Sequence, residues 1–217
     1  MSLKDLIKDY CPAPAIKLAK GVRKLGRLRS SRILRKKLLG SANPIKLELG
    51  SGGKRGLNGW TTLDLVEGCD LYCNLAKGIP FPDNSVAEIY SSHFFEHLTF
   101  RETQGMLDEC VRVMAPNGKF SICVPNARLF LNAYLNNETL DDKKFAPYEP
   151  GINRTTKIDY ANYVAYMDGQ HKYMFDEDNL IHILKDKGFR NVQIRQFDAA
   201  LDREARDYES IYAEGYK

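Results

Sequence analysis

The stretch Lys46-Leu-Glu-Leu-Gly-Ser-Gly-Gly-Lys54 narrows the possible architectures more than any other part of the sequence. Ile45, Leu47 and Leu49 make a short apolar run that ends in three glycines, Gly50, Gly52 and Gly53. Such a run feeding glycines reads as a buried parallel strand and a tight turn at the carboxyl edge of a sheet. Glycine there permits positive φ and carries no Cβ, so a ligand can lie against bare backbone. In open α/β sheets that edge is where nucleotides bind.

The rest of the chain is consistent with such a sheet. Trp60–Val66 reads as a second strand ending in Asp64, and Asp70–Leu75 as a third that closes on Asn74. About a dozen residues separate the first strand from the second, so the usual crossover helix is short or replaced by a loop. Val86–Ser92 is a fourth strand, and a helix over Arg101–Met114 is stopped by Pro116-Asn-Gly118. Lys119–Pro125 is a fifth strand. Residues 126–172 lose clear periodicity and read as a lid insertion over the sheet edge. A helix over Glu177–Lys187, capped by Gly188, precedes strands at Asn191–Phe197 and Ser210–Lys217. The order predicts an α/β fold with a seven-strand, mostly parallel sheet and helices on both faces. Residues 1–40 are a basic helical extension and 41–217 the globular domain. With 217 residues, 43% of them hydrophobic, the chain is long enough for one full core.

Charge is unevenly placed. Residues 1–40 carry twelve Lys and Arg against Asp5 and Asp9, so the remaining chain is mildly acidic although the total is +4. Leu18, Val22 and Leu25 fall on one helical face of the extension, as do Leu34 and Leu38. One reading is a basic amphipathic segment at an anionic lipid surface. The other, favoured by the lack of an anchoring Trp or Phe, is a helical cap with a solvated charged face. No apolar run reaches the roughly 20 residues of a membrane span, and the N-terminus has no secretory h-region. Five cysteines without a CxxC pair point to a reducing, cytoplasmic setting.

Several motifs, in order, carry a family likeness: Glu48-Leu-Gly-Ser-Gly, Asp64, Asn74-Leu75, Ile79-Pro-Phe-Pro-Asp-Asn-Ser85, Ser91-Ser-His-Phe-Phe-Glu-His-Leu98, Arg112-Val-Met-Ala-Pro-Asn-Gly118 and His171-Lys-Tyr-Met-Phe-Asp176. From about residue 45 to its end the chain resembles the class I S-adenosylmethionine-dependent methyltransferases, in particular the group close to Methyltransf_11. The resemblance implies a Rossmann-like fold, S-adenosylmethionine as cofactor and S-adenosylhomocysteine as product. It implies that Glu48, Gly50, Ser51, Gly52, Asp64, Leu65, Asn74, Leu75, Ser92 and His93 surround that cofactor. Gly50 and Gly52 would approach its methionine and ribose portion, Asp64 would accept both ribose hydroxyls, Asn74 would pair with the adenine edge and Leu75 pack on the adenine face. The family's usual third glycine is Lys54 here; Lys54 and Arg55 read as solvated loop charges, or as partners of the cofactor's carboxylate.

Competing readings are weaker. A dinucleotide fingerprint would need glycine where Arg55 stands, a full helix, and a longer interval to Asp64. His93-Phe-Phe-Glu-His97 spells the inverted zinc-peptidase motif, but it follows a strand rather than lying on a long helix, so zinc is not expected. His93, His97 and His171 are instead the candidate catalytic groups, since an imidazole can take a proton from an acceptor hydroxyl near neutral pH. The alternative for Glu96-His97 is a cap on the following helix. Tyr148, Tyr160, Tyr163, Tyr166 and Tyr173 would stack on an acceptor or hold the lid down. Val124-Pro-Asn126 lacks the signature of base-amine methylases and there is no Pro-Cys nucleophile, so nucleic acid is not the expected partner. A small molecule, sugar or lipid-linked glycan is expected. The Tyr10-Cys-Pro-Ala-Pro opening looks like the starts of enzymes of surface polysaccharide biosynthesis. A methyltransferase-like fold that binds without catalysing is the alternative.

Overall fold

The computed structural model describes residues 13–141 and 155–217, with side chains from residue 21. Seven strands form one sheet: β1 (Lys46–Leu49), β2 (Trp60–Asp64), β3 (Leu71–Tyr72), β4 (Val86–Ser92), β5 (Met114–Pro125), β6 (Arg190–Ile194) and β7 (Ser210–Tyr216). Their order is β3-β2-β1-β4-β5-β7-β6. The first five run parallel, and β7 lies antiparallel between β5 and β6. Leu47, Leu49, Leu63, Val86, Ile89 and Phe120 are completely buried along these strands, as continuous apolar runs in a covered sheet should be. The parallel order puts the carboxyl ends of β1, β2 and β4 side at one edge. Leu49 pairs with Leu63 on one side and Ser91 on the other.

The connection from β1 to β2 is a loop, as its length requires. β3 shrinks to two paired residues, because the Asp70 carboxylate is committed to the preceding loop and Asn74 already caps a 3-10 turn over Leu75–Lys77. β5 starts earlier than its apolar run: Pro116-Asn-Gly118 sits inside an irregular strand opening where Asn117 takes φ 62°.

The basic extension forms one helix, α1 (Ala13–Leu39), running through Gly21 and Gly26. Its inner stripe is Arg27, Ser31, Leu34, Arg35 and Leu38. Ser31 Oγ accepts the Tyr72 N–H (2.8 Å), which belongs to the sheet's edge strand, and Arg35 donates to the Pro80 carbonyl (3.3 Å). Leu34 and Leu38 pack on the main core. Val22 and Leu25, placed on one helical face by the sequence, are both exposed.

Helix α2 (Phe100–Val113) opens with a capping box from Thr99 and Glu102, so Glu96-His97 does not cap it. The region read as aperiodic contains α3 (Ala127–Leu135) and α4 (Ile158–Tyr166), which close a second small core around Phe130, Ala133, Tyr160, Tyr163 and Val164. Tyr160, Tyr163, Val164 and Met167 recur at helical spacing, hidden in the sequence among polar residues. Helix α5 (Glu177–Asp186) and the short α6 (Glu204–Asp207) complete the chain.

Candidate active site

The turn after β1 is built around two carboxylates. Gly50 and Gly52 take φ 65° and 67°, and the Gly52 N–H donates to Asp64 Oδ2 (2.8 Å). Asp64 Oδ1 accepts the N–H groups of Leu65 (2.6 Å) and Val66 (3.0 Å). A carboxylate offers about four lone-pair positions, so three backbone donors leave about one. Asp64 can therefore receive one hydroxyl of a diol without disturbing the turn, rather than the two expected. Asp70 holds the outer half of the loop, with Oδ2 accepting the N–H groups of Gly56 (2.8 Å) and Thr62 (3.1 Å) and the Thr62 hydroxyl (2.9 Å). Lys54, where a glycine was expected, pairs with Glu48 at 2.6 Å. It neutralises an acid that is buried while staying partly exposed at the cavity wall.

Glu48, Gly50, Gly52, Lys54 and Asp64 line a cavity of 580 Å³ together with Ser51, Gly53, Ser92, His93, Phe94, His97, Arg203 and Arg206. A Cβ on Gly52 would meet nothing within 4 Å, so bare backbone does face open space there. Gly50 differs: a Cβ would fall 2.2 Å from the Phe94 ring. Half of the expected ledge is thus covered by the protein's own aromatic side chain. Leu65 and Asn74 lie apart from this group, in a cavity of 1040 Å³ between the β3 end and α1. The Asn74 amide oxygen accepts the Ala76 N–H (3.0 Å), and Leu75 is buried in the core rather than offered to a ligand. The two regions touch through the backbone, where Cys73 N–H donates to the Asp64 carbonyl (3.0 Å).

All three candidate histidines converge on a second cavity of 220 Å³, lined by His93, Glu96, His97, Pro125, Tyr163, Met167, Gln170, His171, Arg206 and Glu209. His93, His97 and Arg206 line both cavities, which places the second beside the glycine loop. His93 sits at φ 50°, its N–H held by the Cys123 carbonyl (2.9 Å). Ser210 Oγ donates to the Arg206 carbonyl (2.6 Å), so His93 Nε2–H must be the donor in the 2.8 Å contact with Ser210 Oγ. That leaves Nδ1 with a lone pair, 3.5 Å from Glu96 Oε1. Burial, with the nearby Arg206 charge, holds the His93 pKa well below the ordinary value.

His97 and His171 face each other with ring centroids 5.2 Å apart. The exit of the lid is fastened to the turn after β4: Lys172 and Tyr173 N–H groups donate to the Glu96 carbonyl (2.8 and 3.3 Å). Glu96 itself is buried, and burial pushes its carboxyl up to about 8. Tyr160 and Tyr163 hold the lid, Tyr160 accepting the Leu140 N–H (3.1 Å) and Tyr163 donating to Glu209 (3.0 Å). Tyr173 stacks between Phe100 and Phe175, Tyr166 is exposed, and Tyr148 lies outside the described residues.

Sequence reasoning passed over Phe94, Arg203, Arg206 and Glu209. Phe94 lies inside a motif that was read for its histidines. The other three come from the tract before β7, where no periodicity marks them; only their proximity to a strand entering the sheet beside β5 could have signalled them.

Residues 47–122 match the family model described as "Methyltransferase domain" (Methyltransf_11). No curated protein sequence matches the chain. Among solved structures, phosphoethanolamine N-methyltransferase 2 of Haemonchus contortus in complex with S-adenosyl-L-methionine superposes with a TM-score of 0.50 at 12% identity over 85% of this chain. The same enzyme with phosphomonomethylethanolamine and S-adenosylhomocysteine gives the same score and identity. The matched region is 51% and 52% of those chains, so this protein spans about half their length. A methyltransferase of Archaeoglobus fulgidus aligns over 88% of this chain and 96% of its own, at 17% identity and a TM-score of 0.48.

Proposed function

We propose that this chain is a class I S-adenosylmethionine-dependent methyltransferase that methylates a hydroxyl of a small polar acceptor, a sugar or lipid-linked glycan, held in the cavity beside the glycine loop. The observation that carries this reading is the adjoining pair of cavities that share His93, His97 and Arg206. The fit of the cofactor rests on the open backbone at Gly52 and the remaining acceptor position on Asp64. Bound S-adenosylmethionine supplies a methyl group already activated by its sulfonium.

The chain's own residues then have to align the acceptor and exclude water. Gly52 and Asp64 would hold the ribose side, with Leu65 and Asn74 beyond the β2 end on the purine side. His93 is neutral because of its burial, keeps a lone pair on Nδ1 3.5 Å from Glu96 Oε1, and lines both cavities, so it would be the group to take the acceptor's proton. The lid helices α3 and α4, pinned by Tyr163 and the backbone bonds to Glu96, close the far side. A small polar acceptor is also what the Haemonchus enzyme of the same fold carries in its second complex. The outward face of α1, where Val22, Leu25 and Ile33 stand exposed among Lys and Arg, supports a cytoplasmic enzyme resting on an anionic membrane that presents the acceptor. No described helix is long and apolar enough to cross a membrane.

Calorimetry tests the cofactor half of the proposal. Wild-type protein is expected to bind S-adenosylhomocysteine, and Asp64→Ala to weaken it by at least about tenfold, the size of one charge-assisted hydrogen bond plus a loosened turn. A silent wild-type titration removes the reading. Methyl incorporation from labelled S-adenosylmethionine into lipid, glycan, protein and RNA fractions of a lysate tests the acceptor, and label confined to protein or RNA overturns the glycan assignment.

A further inference from the structure

We propose that Glu96, His97 and His171 form a binding site for one divalent first-row transition-metal ion at the floor of the smaller cavity. One ligand atom from each lies within 4.8 Å of the others. The two imidazoles are already set as ligands. His97 Nδ1 contacts the Gln170 carbonyl at 3.0 Å and His171 Nδ1 contacts the Val164 carbonyl at 2.9 Å. A carbonyl only accepts, so both rings carry their proton on Nδ1 and keep the Nε2 lone pair free. A backbone carbonyl on the far nitrogen is the arrangement that orients metal-bound histidines.

Glu96 supplies the independent observation. Its side chain is 2% exposed, it lines this cavity, and Oε2 has no hydrogen-bond partner. An unpartnered buried carboxyl oxygen is costly whether or not it holds a proton, and a cation beside it, taking the proton's place, removes that cost. The Arg206 charge on the same cavity wall is shared with the second buried acid, Glu209, so a cation is not repelled by an unopposed positive wall.

The geometry is near that of a bound ion. Ligand atoms about 2.1 Å from a tetrahedral metal stand about 3.4 Å apart, so the present spread closes with side-chain rotations of about an ångström. Two imidazole nitrogens and one carboxylate select ions such as zinc, iron(II), cobalt or manganese over calcium. This is not the helix-face site that His93-x-x-Glu96-His97 would make in a zinc peptidase. His93 spends Nε2–H on Ser210, and its place is taken by His171, brought from the lid exit by the backbone bonds to Glu96. Three protein ligands leave positions open toward the cavity, where vicinal hydroxyls of an acceptor could bind the ion. That use of the site rests on the acceptor proposed above; the binding itself does not.

The test uses the full, untagged chain stripped of metal and titrated with Co²⁺, followed by calorimetry and by the visible absorption of the bound ion. One equivalent is expected, with the bands of nitrogen and oxygen ligation. Glu96→Gln, which keeps the side-chain shape, and His97→Ala, at a half-exposed position, are each expected to weaken Co²⁺ at least tenfold. Thermal unfolding of the metal-free variants confirms that both are folded. An absent cobalt spectrum in the wild type, or unchanged affinity in both folded variants, overturns the site. S-adenosylhomocysteine titrated into the same metal-free sample reports on the glycine-loop cavity separately, so loss of one reading is distinguishable from loss of the other.

Discussion

Gly50 and Gly52 have almost the same φ, yet the atoms around them require glycine for different reasons. At Gly52 the direction of a Cβ is empty, so alanine there costs only the left-handed backbone, about 1 kcal/mol. At Gly50 the same methyl falls onto the Phe94 ring and overpacking adds to the backbone term, for a loss of about 3 kcal/mol. Urea unfolding is expected to separate the two variants in that order. Cofactor affinity should not follow stability: Gly52→Ala projects its methyl into the cavity and is expected to weaken S-adenosylhomocysteine more than its small stability loss suggests. The glycines themselves were legible in the sequence, because a strand ending in Gly-x-Gly has few other uses. That Phe94 would cover one of them was not, since the contact joins the ends of two strands across the sheet edge. Asp64 was legible as the acid after β2, but its commitment to three N–H groups was not, because backbone donors leave no trace in a residue pattern.

A loop that replaces a helix has lost its internal hydrogen bonds, and between β1 and β2 one side chain substitutes for them. Asp70 gathers Gly56, Thr62 and Arg55, and thereby fixes the outer wall of the glycine turn. Burial pushes its carboxyl up, but the N–H groups of Thr62 and Gly56, the Thr62 hydroxyl and Arg55 outweigh it and hold the pKa below the ordinary value. The sign follows from linkage. A depressed acid binds its proton more readily in the unfolded chain, so its stabilisation is complete above the unfolded value near 3.8 and is lost as pH falls through the lower folded value. Asp70→Asn should lower the unfolding free energy at pH 7, read from urea titration, by about 1–2 kcal/mol for hydrogen bonds to a charged group. The deficit should shrink when both proteins are compared near pH 3; a constant deficit contradicts the assignment. At this scale the strands were largely readable, since fully buried runs of Leu, Ile and Val bounded by turn residues have one natural place. The exceptions share a cause. β3 was read as longer because Asp70 and Asn74 flank it, and both are occupied by turns. The lid helices were missed because their apolar face is made of tyrosines and a methionine, which also suit loops. α1 runs unbroken through Gly21 and Gly26, each of which weakens a helix by about 1 kcal/mol, and its contacts with the sheet edge offset that loss.

The site of the whole molecule depends on segments far apart in the chain: β1 and β2 supply the glycine turn, β4 the His93 corner, and the lid exit His171. α1 packs on the β3 edge, beside the cavity that holds Leu65 and Asn74, and its two faces serve different ends. The inner face closes the open edge of the sheet, with Ser31 on the Tyr72 N–H and Leu34 and Leu38 on the core, while Arg27 stacks on the Tyr72 ring at 4.9 Å. Unpaired edge strands are sites of aggregation, so this cover matters beyond its own contacts. Deleting residues 1–40 is therefore expected to cost about 3 kcal/mol, from roughly one hydrogen bond and two half-buried leucines, and to promote association at micromolar concentration. A deletion consequently confounds any test of membrane contact, because loss of binding and loss of fold arrive together. Reversing the charges of Arg29, Lys36 and Lys37, which are exposed on the outer face, separates the two. Urea unfolding of that triple glutamate variant should show a loss of about 1–2 kcal/mol, because Lys36 and Lys37 lie in the last turn of α1 where acids oppose the helix dipole, and so should leave the fold intact. Affinity for vesicles containing anionic lipid, read by flotation, should fall about a hundredfold, at about 1 kcal/mol for each of the three cations removed near the surface, and wild-type flotation should weaken as salt rises. Equal flotation of both proteins would leave α1 with its structural task alone, closing the sheet beside Tyr72.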